Sequence, residues 1–230
     1  ASGAAAEGAR LPLPRGLRGL LARRLEALPA EAQRVAEAVA VLGGEADLAL
    51  VAPVAGLAED ALLLALSELL QRYVLCEKDG GAVGFVHDQI REVAYDRVPP
   101  EQLALFHRAA AQAISDLQVS ERAGELGRHW EMAGKPAEAI EAYREAATRA
   151  MRAHAHAEAE RQIRACLRLV PAPSARCAEL CNDLGGVLDV VGRIGEARAA
   201  HLRAREEAGL AGDRHLEAKA LRHLGVLEHE

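Results

Sequence analysis

The chain has 230 residues and a formal charge of −6; half of its residues are hydrophobic and only 3% are aromatic. That length means one large domain or two small ones, and a core restricted to Ala, Leu and Val suits closely packed helices better than sheets. The acidic balance argues against broad phosphate-backbone binding, no apolar run approaches the ~20 residues of a membrane span, and four cysteines without dense spacing fit a reducing cytoplasm.

Residues 1–10 are small and flexible in composition and read as a linker, and Leu11-Pro12-Leu13-Pro14 stops any helix. A basic helix is expected over 15–28. A second, over 31–42, sets Val35, Val39 and Leu42 on one face and ends at Gly43-Gly44. A short element over 46–54 leads to a helix at 58–72. Leu62, Leu66, Leu69 and Leu70 form its apolar stripe, and Glu59 and Asp60 lie at its dipole-favoured start. The period then changes. Tyr73-Val74-Leu75-Cys76 and Ala82-Val83-Gly84-Phe85-Val86 flank Asp79-Gly80-Gly81, which predicts a β-hairpin, the one strand pair of the chain. Helix, short helix, helix and hairpin follow the plan of a winged helix.

Beyond the hairpin, helices are expected at 87–97 and 101–117, and then at 121–133, 136–152, 155–170, 174–191, 194–209 and 213–228. Gly134-Lys135-Pro136, Pro171-Ala172-Pro173, Gly192 and Gly212-Asp213 separate the last six. At an offset of 40, Leu180, Leu184 and Gly185 fall on Ala220, Leu224 and Gly225, and repeating helix pairs of this kind mean an α-solenoid. The small face Ala197, Ala200, Ala204 and Ala208 lets a neighbouring helix approach closely, as in a tetratricopeptide repeat. The expected fold is therefore mainly α, a winged-helix domain at 11–117 followed by a tetratricopeptide-like α-solenoid at 118–230. The chain starts at Ala1 without Met and stops at Glu230 inside a helical pattern, so a piece of a longer protein is expected.

The run Phe85-Val86-His87-Asp88-Gln89-Ile90-Arg91-Glu92-Val93-Ala94-Tyr95, with Leu105-Phe106-His107 after it and Ala40-Val41-Leu42-Gly43 before it, is specific. It resembles the Met-His-Asp region in the winged helix of signal-transduction NTPases with numerous domains. This STAND class includes apoptotic and plant-resistance ATPases, maltose-regulator-like and LuxR-type activators, and ATPase regions fused to kinases or cyclases. The resemblance covers roughly residues 11–117, with Val86 in place of the motif's Met; the repeats are similar in kind only. It implies that His87 reaches the β-phosphate of ADP held in an upstream NTPase domain, with Asp88 positioning the helix start. Arg91, one turn on, can face the same phosphate.

From the residues alone, His87 capping its helix and Arg91 pairing with a surface acid is the plainer reading. No Gly-x-x-x-x-Gly-Lys-Ser/Thr occurs, so the chain itself is expected to be no enzyme and to hold no cofactor, ATP/ADP with Mg belonging to the parent protein. The implied partners are the upstream NTPase domain and a protein or small-molecule effector on the solenoid, with oligomerisation on activation left open. The implied location is cytoplasmic, away from the membrane. A plain tetratricopeptide-like scaffold and a DNA-binding winged-helix regulator are the alternatives.

Direct DNA binding is not expected, because the helix over 58–72 offers Glu59, Asp60 and Glu68 against Arg72 alone. The basic cluster Arg15, Arg18, Arg23 and Arg24 reads as a solvated helix face. Glu138, Glu141, Arg144 and Glu145 read in the same way. Cys166, Cys177 and Cys181 share faces with aliphatic residues and read as core rather than metal ligands. His154 and His156 are expected to point to different sides of a helix with no third ligand, so no zinc pattern is present. Trp130 and Tyr143 read as core anchors of the first helical hairpin.

Overall fold

The computed structural model describes residues 15–117 and 120–227, so the linker at 1–10, the helix stop at 11–14 and the expected helix end at 228 lie outside the described residues. Those residues form twelve α-helices and one small sheet, in two compact units that divide between Ala110 and Ala111.

In the first unit α1 (Arg15–Glu26) is followed by α2 (Ala30–Leu42), whose eight buried residues make it the central helix. The basic face of α1 is more than a solvated one. Arg18 pairs with Asp96, and Arg24 donates to the Arg72 and Tyr73 carbonyls at the end of a later helix, where the dipole favours a cation. After α2, β1 (Glu45–Ala46) leads into α3 (Leu48–Ala55), capped by the Asp47 carboxylate accepting from Ala49 N–H at 2.9 Å.

The next helix, α4 (Glu59–Gln71), buries Leu62, Ala65, Leu66 and Leu69. β2 (Leu75–Glu77) and β3 (Val83–Phe85) then form the expected hairpin, with Leu75 opposite Phe85. The sheet has a third strand that the hairpin expectation lacked. β1 pairs antiparallel with β3 on its other edge, giving the order β1-β3-β2. α5 (Asp88–Asp96) and α6 (Pro100–Asp116) complete this part, and the chain passes into the second unit within α6.

The second unit contains α7 (Ala123–Met132), α8 (Pro136–Arg152), α9 (His156–Leu169), α10 (Ala175–Val190), α11 (Ile194–Ala211) and α12 (Arg214–Leu227). Each packs on the next, and α10 also packs on α12. One continuous core runs through them. It takes in Ile140, Tyr143, Ile163, Leu188 and the thiols Cys166, Cys177 and Cys181, with Trp130 packed against it. Burial pushes Cys166 up to about 11 and Cys181 up to about 12, as expected of inert core thiols.

Gly134, Gly192 and Gly212 all stand at positive φ in the short connections, where an L side chain is strained. His154 occupies the corresponding place between α8 and α9, at φ +56. The small face of α11 is buried at Ala197, Ala200, Ala204 and Ala208. The acidic and basic surface residues bridge helices as well as turns: Arg176 reaches Glu141 at 2.5 Å, and Arg193 spans Glu160 at 2.7 Å and Glu196 at 2.6 Å. Among the described residues no single helix is long and apolar enough to cross a membrane; α3 and α4 reach that apolarity only as a pair bent by 109°.

Candidate functional site

The strand-to-helix junction at His87 is held from both sides. Upstream, Phe85 is buried and Val86 N–H donates to Val74 C=O at 3.2 Å. Downstream, Ile90, Val93 and Ala94 anchor one face of α5 in the core. Between these pins His87 takes the N-cap position with extended backbone (φ −137, ψ 137), and its carbonyl accepts from Ile90 N–H at 3.0 Å. Its imidazole is exposed and makes no cap hydrogen bond, so the side chain does not serve the helix start. The ring stands where the partial positive charge of a nine-residue helix favours an anion.

Asp88 and Arg91 are brought together, with Arg91 Nε at 3.6 Å from Asp88 Oδ1. At that separation, and with Asp88 62% exposed, the pair is worth about 0–1 kcal/mol. Exchanging it for another anion therefore costs little. The acid that Arg91 pairs with is thus its own neighbour in the motif.

Two further residues of the same run, Tyr95 and His107, are joined by a 3.1 Å hydrogen bond between the phenol and Nε2. Phe106, alongside, is buried beneath the Arg34 guanidinium at 5.8 Å. The first contact joins α5 to α6, and the second joins α6 to α2. The exposed face of α4 carries Leu63 and Leu64 (57% and 74% exposed) beside Glu59 and Asp60.

In the second unit the buried polar groups form two clusters that the sequence reading passed over. In one, Arg122 makes a two-pronged bond to Glu125 at 2.8 and 2.9 Å, with the fully buried His129 at 3.7 Å. Burial raises Glu125, but hydrogen bonds from His129 and Arg122 outweigh it and hold the carboxyl down at about 2. In the other cluster, His201 (1% exposed) donates from Nδ1 to Asn182 Oδ1 at 3.1 Å and stacks on His223, with ring centroids 4.7 Å apart. The available signal was a histidine inside the alanine face of α11 and a glycine, Gly185, on the preceding helix. A Cβ at Gly185 would lie 2.5 Å from the His201 ring.

The His154 and His156 rings do not point apart as expected. They lie 6.1 Å from each other and border one cavity, because the left-handed backbone at His154 breaks the helical phase. Among the described residues no group of three or more His, Cys, Asp or Glu could hold a metal ion.

No protein-family model matches this chain, and no curated protein matches it at a significant level.

Proposed function

We propose that this chain is the regulatory arm of a STAND-class signalling ATPase. In this reading the first unit is the winged helix, which closes on ADP held by an upstream NTPase domain; ATP/ADP and Mg bind that domain. The second unit is a tetratricopeptide-like α-solenoid that carries an effector, and the protein works in the cytoplasm.

The observation that carries the reading is His87. It is an exposed imidazole at the start of a helix, unused by that helix, within a Phe-Val-His-Asp run and one turn before a weakly paired arginine. The order α2, β1, α3, α4, β2, β3 supports the winged-helix part of the reading. The leucine-bearing face of α4 favours packing against protein over reading DNA. Coupling follows if nucleotide at one end and effector at the other each favour one of two arrangements of the same arm.

The role of each residue is limited. His87, protonated or as a neutral N–H donor, would bond a β-phosphate oxygen. Arg91 would add a second charge-assisted bond by leaving Asp88, and Asp88 would fix the first turn. No bond to phosphorus changes on this arm. The test is nucleotide retention by the full-length protein that contains the chain. The wild type should keep ADP through gel filtration, and His87→Ala should lose it. Equal retention by a folded His87→Ala protein would overturn the latch and leave a tetratricopeptide-like scaffold.

A further inference from the structure

A cavity of about 490 Å³ opens between α8, α10 and α12 of the second unit. One face of α10 lines it, with Asp183, Gly186, Val187 and Val190 at the i, i+3, i+4 and i+7 spacing. Lys219 and His223, one turn apart on α12, close it on one side. Met151, His154 and His156, at the turn between α8 and α9, close it on the other.

Its wall also holds Asn182, which is only 2% exposed. The Asn182 oxygen is committed to His201, and that ring is locked between Gly185 and the stacked His223. With its oxygen on His201, the amide leaves Nδ2 without a hydrogen-bond partner. A buried NH2 group without an acceptor is rare in folded proteins, and the residue that carries this one is part of the wall of a cavity large enough for a small molecule.

The rest of the lining narrows the chemistry. Four groups able to carry positive charge, Lys219, His154, His156 and His223, face the cavity against one carboxylate, Asp183. That carboxylate is already paired with Lys219 at 3.7 Å. Buried Val187, with half-buried Met151 and exposed Val190 beside it, adds an apolar surface. A ligand that satisfies all three features has an acceptor oxygen, one negative charge and an apolar body.

We infer that the cavity binds a small organic acid, its carboxylate accepting from Asn182 Nδ2 beside Lys219 and its body lying on Val187 and Val190. This deepens the proposed role of the second unit and rests on the reading of that unit as the effector-carrying part. Gly186 gives access to the apolar surface. A Cβ built there meets nothing within 4 Å, so the helix has room for a larger residue at this point of the cavity wall.

The experiment is a fluorescence titration of the 230-residue chain with 2-naphthoate, and with the uncharged 2-naphthamide as its twin. The expected result is saturable naphthoate binding with Kd below about 1 mM, and the amide weaker by about tenfold or more. Gly186→Leu and Asn182→Leu should each lower naphthoate affinity by about tenfold or more. Far-UV circular dichroism verifies the fold, and Gly186→Leu decides alone if Asn182→Leu does not fold. Absence of saturation, equal binding of the amide, or unchanged binding by either folded variant overturns the proposal. His87→Ala leaves this titration unchanged, so a failed latch and an unliganded cavity give different results.

Discussion

Acidification is the perturbation that reads the buried histidine cluster most directly. Burial, reinforced by the charge of His223, pushes His201 down from 6.5 to about 4. The unfolded chain therefore binds a proton that the folded chain refuses between those two values. Stability is full above the unfolded value and is lost as pH falls through the window toward the folded one. Going from about pH 8 to about pH 5, His201 alone removes about 2 kcal/mol.

His129 is also held down, by burial against the pull of Glu125, and adds to the same slope. Asp183, raised by burial, opposes it. The variant His201→Gln isolates the one residue by removing its titration. Urea melts at the two pH values, followed by Trp130, report on the second unit, because Trp130 is the chain's single tryptophan and packs on that unit's core. The expected result is a loss about 2 kcal/mol smaller in His201→Gln than in the wild type. The same pH dependence in both proteins would refute a buried, neutral His201.

Three further perturbations test the packing. A Cβ at Gly127 would lie 2.4 Å from the Tyr143 ring, whose hydroxyl donates to Glu131 at 2.7 Å, so Gly127→Ala should cost about 1–3 kcal/mol by Trp130-monitored urea melting. His154→Gly should raise stability by about 1 kcal/mol in the same assay, since it relieves a side chain at φ +56; a loss would mean that the imidazole holds the turn. Asp47→Ala removes the acceptor for Ala49 N–H and should lower the first unit's melting midpoint in circular dichroism by the equivalent of about 1 kcal/mol, with the Trp130 transition unmoved.

The helices were legible because their breaks are local. Gly134, the Pro171-Ala172-Pro173 run, Gly192 and Gly212 each interrupt an apolar period, and the observed helices end within a residue or two of them. The hairpin was legible for the same reason, from Asp79-Gly80-Gly81. β1 was not, since Glu45-Ala46 is too short to alternate and is a strand only because β3 offers an edge. The break between α8 and α9 was placed as well, but with no glycine or proline to mark it the left-handed backbone at His154, and with it the placement of the two imidazoles, was not.

The candidate site divides in the same way. His87 at a helix start could be read from the chain order, whereas the Asp88 partner of Arg91 and the Tyr95–His107 bond required the fold. Asn182, His201 and His223 sit on three different helices, and no spacing in the sequence brings them together. Arg24 shows the converse: a residue of a seemingly solvated cluster is bound to carbonyls about fifty positions away.

The proposed latch is tested by the rate at which ADP leaves the full-length protein, measured for the wild type, His87→Ala and Arg91→Ala with a fluorescent ADP chased by excess ATP. Loss of a charge-assisted bond to the β-phosphate predicts release faster by about tenfold to a hundredfold in His87→Ala, with a smaller gain in Arg91→Ala. Release at the wild-type rate from a folded His87→Ala protein would contradict the assignment of this arm as the nucleotide-sensing element.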